Sequence, residues 1–223
     1  MGVDPPYEHS GPYWQFQLKA NVDEETLIGF IHKPCQQPQP PISMLAMSRN
    51  SYSMKTTGQR GFQSFSHCLI TGNMVADQWW TYADAAEQAG WVPGRSDWKV
   101  CRSIFRADTT ADAVDRAHGN SLGQNYEYIS RLFDKGLGRG IYKRDLDRPG
   151  EQCRLDFLMS EQIIAGDVDE VLKRLLALIE ETCAFGTLVL MSYDWDDKAS
   201  WLHSMELFAR ELMLPLNKAV GRG

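Results

Sequence analysis

Ser48, Arg49, Asn50, Ser51 and Ser53 place hydroxyls, an amide and a guanidinium directly after the apolar run at residues 42–47. Such side chains can do two different jobs where a strand gives way to a helix. As caps, their oxygens accept hydrogen bonds from the unpaired amides of the first helical turn. As anion ligands, the same amides and hydroxyls together with Arg49 would hold a phosphate at the carboxyl end of a parallel strand, where open α/β sheets bind ligands. Spacing leaves both readings open, and Gly58 and Gly61 do not make a nucleotide fingerprint.

Other chemistry-bearing residues are weaker candidates. The run "YDWDD" puts Asp194, Asp196 and Asp197 after the last apolar strand, where carboxylates serve either as catalytic groups or as the cap of the following helix. His9, His32, His67, His118 and His203 are scattered and form no metal-binding pattern. "GLGRG" has the wrong spacing for a dinucleotide loop and follows no strand. Trp79, Trp80 and Tyr82 read as core rather than as a platform for substrate. No Ser-His-Asp, Walker or Cys-His arrangement is legible from spacing.

The elements that must position these residues follow a rhythm. Residues 42–47 read as a strand and 51–60 as a helix; 62–70 read as a strand and 74–89 as a helix ending at Gly90. "DWKVCRSIFRAD" supplies a third strand, and "TTADAVDRAHG" a helix with hydroxyls placed to cap it. Regularity lapses from about residue 120 to 160, a Gly-rich, charged stretch with some helix at its start and the character of an insertion or lid. It resumes in "GDVDEVLKRLLALIEETCAFG", where Asp167 and Glu170 have the spacing of a capping box. "TLVLMSY" follows as a buried strand and "KASWLHSMELFARELMLPL" as a final helix.

Before residue 42, "SGPYWQFQLKA" and "TLIGFIHKP" read as short strands or hairpin arms. Strands that alternate with helices pair in parallel through right-handed crossovers, so an α/β architecture follows. Four such units are half of an eight-unit barrel, which leaves two open edges and an apolar interior to cover.

With 223 residues, 43% hydrophobic and 23% charged, the chain is long enough for one sizeable core. A net charge of -6 argues against a general nucleic-acid surface. Cys35, Cys68, Cys101, Cys153 and Cys183 are odd in number and widely spaced, as expected of reduced thiols in a cytoplasmic protein. The first residues lack the basic and apolar regions of a secretory leader, and no run is long enough to span a bilayer.

Taken in order, "SGPYWQF", "PQPPISMLAMSRNSYSMKTTGQRG", "DWKVCRSIFRADTTADA", "IAGDVDEVLKRLLALIEETCAFGTLVLMSYDW" and "SMELFARELMLPL" resemble the C-terminal half of bacterial luciferase-like, flavin-dependent monooxygenases. The resemblance implies a single domain over 1–223, a partial TIM-type (β/α) barrel made of about the last four strand-helix units. Its parts would be a lead-in at 1–41, strand-helix units at 42–119, an insertion or lid at 120–160, and the last units at 161–223. It also implies that reduced FMN and O2 are used to insert one oxygen atom into a small organic substrate. The reduced flavin would come from a separate NAD(P)H-dependent flavin reductase, and the enzyme would be a homodimer. Carried over by position, Ser48, Arg49, Asn50, Ser51 and Ser53 would grip the flavin phosphate, with Arg49 supplying charge and Asn50 and Ser53 hydrogen bonds. Relatives carry further strand-helix units before the segment that matches here, including catalytic His or Cys positions. Without them the chain reads as a truncated form of such an enzyme, the alternatives being a shortened, noncatalytic FMN binder, or an interaction module that completes a barrel with another chain.

Overall fold

The computed structural model describes residues 7–18, 25, 35–36, 39–136 and 138–221. Contacts group the chain into two compact units, Met1–Pro41 and Ile42–Gly223. In the first, β1 (Tyr7–Ser10) and β2 (Gln15–Leu18) form an antiparallel hairpin, with Tyr7 opposite Leu18 and a turn closed by Gly11 N donating to the Trp14 carbonyl at 2.9 Å. The expected second arm, residues 26–34, lies outside the described residues.

The second unit is built on a five-stranded parallel sheet of β3 (Ser43–Ala46), β4 (Gln63–Ser66), β5 (Lys99–Arg106), β6 (Ile163–Gly166) and β7 (Thr187–Met191). Register fixes the layout. Lys99 pairs with Phe65 on one side and Thr187 on the other, while Ser103 pairs with Ile163 and Met191. Because β7 takes one edge of β5 at both positions, β4 and β6 lie end to end along its other edge. The sheet therefore runs β3, then β4 with β6 beyond it, then β5, then β7. β3, β4, β5 and β6 each lie beside the next in sequence, and β7 returns to pair with the other edge of β5. Among the described residues β3 and β7 each pair on one side only.

Burial follows from that layout. β5 is buried from Val100 to Arg106 and β6 throughout, as expected for strands covered on both faces. The outer strands are not: Leu45 in β3 is 43% exposed and Leu190 in β7 is 40% exposed. β7 was expected as a buried strand, and its position at the sheet edge is the physical reason that it is not. The four-residue β6 was not foreseen either, because "IIAG" is too short to announce a strand beside a long helix.

Successive β5 residues face opposite sides. Val100 packs with α2 (Gly72–Gln88) and α6 (Val168–Thr182) in a cluster centred on Trp98, whose Nε1 donates to Ser66 Oγ at 3.1 Å and whose ring lies 5.0 Å from that of Trp79. Cys101 and Phe105 face the other way, toward side chains of the 120–160 excursion. That stretch begins with α4 (Ser121–Asp134) and leads into α5 (Leu155–Gln162), and its Leu122, Tyr126, Tyr142, Cys153 and Leu158 are fully buried. Tyr126 Oη lies 3.2 Å from Ser103 Oγ, so the segment is stitched to the middle of β5. One residue, Asn120, separates α4 from α3 (Thr110–Gly119), and a Cβ at Gly123 would collide with the His118 carbonyl, so the tight junction requires glycine.

The capping box at α6 is only half formed. Asp167 Oδ1 accepts from Glu170 N at 3.0 Å, but Asp167 N donates to Thr110 Oγ1 at 3.2 Å instead of to Glu170, because α3 packs beside β6. The strand expected over 62–70 stops at Ser66, where Leu69 N turns back to His67 Nδ1 at 3.1 Å. The final helix is likewise interrupted, as α7 (Lys198–Leu207), a π-helical turn at Phe208–Leu212, and α8 (Met213–Ala219). Pro215 has no amide to donate and crowds the carbonyl four residues earlier, and the widened turn before it accommodates both.

Candidate functional site at the end of β3

The chain leaves β3 through Ser48, Arg49 and Asn50 and enters α1 (Tyr52–Gln59) at Ser51. Asn50 has φ 44°, a left-handed conformation that asparagine tolerates better than most residues. Its amide donates to Asp77 Oδ2 at 3.0 Å, and Gln78 Nε2 donates to the Ser48 carbonyl at 3.0 Å, so α2 holds the loop by its backbone. Ser51 is buried and caps α1, its Oγ accepting from Met54 N at 3.4 Å. For Ser51 the capping job is thus the one observed. Ser53 is half-buried on the first turn, and its carbonyl accepts from Thr57 Oγ1 at 2.6 Å. Ser48 and Asn50 are exposed.

Arg49 stands apart from these. It makes no ion pair among the described residues, and its Nε is buried without a hydrogen-bond partner. A buried guanidinium nitrogen left in that state costs free energy that an arriving acceptor would recover. The amides of Tyr52 and Ser53 have no intrahelical partner by geometry, and the α1 dipole adds positive potential at the same place. Together these groups suit an anion. Asp77 works against one, since its carboxylate already occupies the Asn50 amide. Neither Asp77 nor Gln78 was singled out from sequence. Both lie more than twenty-five residues from the loop on an ordinary helix, and only packing brings them there.

The other candidates resolve into structural roles. Asp197 caps α7 by accepting from Ser200 N at 3.2 Å, and the bond from the Ser200 hydroxyl holds its carboxyl below the ordinary range. Asp196 accepts from Ser121 N at 2.8 Å, Ser121 Oγ at 2.9 Å and Trp201 Nε1 at 3.3 Å. Its burial favours the neutral acid, but these bonds outweigh it and the carboxyl also lies low. Trp79 and Tyr82 are core, whereas Trp80 is 63% exposed and lies 5.8 Å from the Arg95 guanidinium. No group of His, Cys, Asp and Glu among the described residues could hold a metal.

Sequence reasoning also missed a polar cluster inside the fold. Cys68, just past β4, and Cys101 on β5 are fully buried in the same cluster, with His67 Nδ1 at 3.6 Å from Cys68 Sγ. Interaction with Cys101 holds the Cys68 thiol low, and interaction with Cys68 pushes Cys101 up. Burial likewise raises the phenols of Tyr126 and Tyr193. Widely spaced cysteines gave no signal of this pairing.

No family model matches the chain. It is 30% identical over 217 residues to a 3,6-diketocamphane 1,6-monooxygenase of Pseudomonas putida, covering 93% of this chain and 56% of that protein. A 2,5-diketocamphane 1,2-monooxygenase of the same organism is 29% identical over 77% of the chain and 48% of its own length. Among solved structures, the oxygenating constituent of 3,6-diketocamphane monooxygenase, a type II Baeyer-Villiger monooxygenase in complex with FMN, superposes with a TM-score of 0.75 at 29% identity, over 93% of this chain and 57% of that one. The chain spans about half the length of the curated relatives it matches.

Proposed function

For a chain whose relatives are luciferase-like flavin-dependent monooxygenases, we propose that it carries the phosphate side of a reduced-FMN site in an enzyme that uses O2 to insert one oxygen atom into an organic substrate. The observation that carries the reading is the similarity, across nearly the whole chain, to an oxygenase constituent in complex with FMN. The loop after β3 fits the phosphate. Arg49 brings an unpaired guanidinium nitrogen to the strand exit, and the first-turn amides of α1 lie beside it. Ser53 would add its hydroxyl and Asn50 its side-chain amide, with Ser48 and Ser51 as neighbours. Asp77 would have to tolerate or yield to the second negative charge, which limits how tightly the loop holds a dianion.

Reduced FMN, when bound, supplies the electrons that activate O2. The chain's part is to hold the cofactor in place and keep water away from the reacting face. Residues 120–160 are proposed to close over that face. Five of their side chains are fully buried against the sheet, so any movement must hinge around a fixed centre near Tyr126. Reduced flavin is proposed to come from a separate NAD(P)H-dependent reductase, and the enzyme to be a cytoplasmic homodimer. None of the described helices is long and apolar enough to cross a membrane. A second reading, completion of the barrel by further strands, is favoured by the half-exposed outer strands β3 and β7.

The test is an anaerobic titration of the chain with reduced FMN, followed by rapid mixing with O2 while flavin absorbance is recorded. Saturable binding, with return to the oxidised spectrum slower than for free flavin, is the expected result. A folded chain that leaves reoxidation at the rate of free flavin would reject an oxygenase site built by this chain alone.

A further inference from the structure

A second strand-to-helix junction carries a different site. Where β4 hands over to α2, a cleft of about 320 Å³ opens between the start of α2, the end of α5 and one side of α6, at the lower end of the sizes that hold small ligands. Three arginines line it, Arg102 from β5, Arg144 from the excursion and Arg174 from α6, with Glu161 and Glu181 the carboxylates facing them. Glu181 is committed to a bidentate pair with Arg144. Arg174 ties down the carbonyls of Ser160, Glu161 and Ile163 at 2.9, 3.2 and 2.9 Å.

Arg102 is different, being only 4% exposed and in no ion pair among the described residues. Its Nη1 donates to the carbonyls of Cys101 at 2.8 Å and His67 at 3.3 Å, while Nε and Nη2 hold no hydrogen bond among the described residues. A guanidinium this buried retains its charge at the expense of hydration; Glu181 in the same cleft offsets part of that cost, and a further anion would offset more. Burial accordingly pulls its pKa down from the usual arginine value. The amide end of the seventeen-residue α2 opens onto the cleft and favours an anion, but Glu181, paired with Arg144, already stands against it: a Cβ on Gly72 would strike Glu181 Oε2, so an arriving oxyanion shares the end of α2 with that carboxylate.

We propose that this cleft binds a small ligand through a carboxylate or phosphate group, held by the free edge of Arg102 and the first amides of α2. The planar fork of arginine matches either oxyanion with two parallel hydrogen bonds. The site stands on residues other than those of the β3–α1 loop, and its occupancy does not depend on flavin.

Calorimetric titration of the full chain with inorganic phosphate, and separately with acetate, at constant ionic strength set by chloride, tests it. One of the two should bind in preference to chloride, and which one does identifies the source of the oxyanion. Ala177→Glu, on an exposed position of α6 that lines the cleft, should weaken that binding about tenfold or more by adding a like charge, as should Arg102→Met. Should Arg102→Met fail to fold, Ala177→Glu decides alone. The proposal is overturned if neither anion binds above chloride, or if Ala177→Glu binds as the parent does.

Discussion

The centre and the outer edge of the parallel sheet use similar residues to opposite ends. On β5, Val100, Phe105 and their neighbours are buried on both faces, and even the polar Ser103 and Arg102 are enclosed. On β3, only Ala46 is buried, Leu45 stands half in solvent, and the strand runs out into a loop whose Arg49 Nε has no partner. The centre encloses its polar groups, including arginine nitrogens on Arg102 and Arg106 that hold no hydrogen bond, whereas the edge brings its own out toward solvent. That difference separates stability from binding, and it can be tested one residue at a time.

The largest effect is expected at the centre. Phe105→Ala removes a ring that packs edge-on against Trp201 at 5.1 Å between centroids, and should cost about 3–5 kcal/mol in denaturant unfolding. A loss below about 1 kcal/mol would mean that the face toward residues 120–160 is not a tight core. Next comes the loop. Arg49→Ala combined with Ser53→Ala should weaken FMN about tenfold or more while leaving riboflavin nearly untouched, because only FMN carries the phosphate. Equal losses for the two flavins, measured by fluorescence titration, would remove the phosphate from this site.

Ser51→Ala sharpens the contrast within the loop itself. The hydroxyl is a cap with a long bond to Met54 N, so about 0.5–1 kcal/mol of stability should go, with little change in the FMN-to-riboflavin ratio. A changed ratio with unchanged stability would reverse its role. The smallest effect belongs to Leu45→Lys, which should stay within about 0.5 kcal/mol if the half-exposed strand faces water. A much larger loss, or a shift in sedimentation, would mean that further strands or a second copy cover that edge.

The strand-helix rhythm was legible because each element is written locally. The α6 face of Val168, Val171, Leu172, Leu175, Leu178 and Ile179 and the cap Asp167 can be read off a few adjacent positions; the structure buries Val171, Leu175 and Leu178 and leaves the other three half-buried. The loop after β3 was legible to the same extent: hydroxyls at a strand exit announce a helix start, and Ser51 caps it. What could not be read was anything set by neighbours distant in sequence. Asp77 on the Asn50 amide, Cys68 against Cys101, and the half-formed capping box at Asp167 all arise from elements that meet only on folding.

The sequence by itself thus determined four of the five parallel strands with the helices that follow them, their parallel pairing, and an arginine-and-hydroxyl loop after the first strand of the sheet, since periodicity and capping chemistry act over a few residues. Only the tertiary structure decided which strands are inner and which outer, that the 120–160 excursion packs on the sheet, and which arginines lack a partner. Those outcomes depend on register and burial, and a buried charge becomes costly only after distant elements close around it.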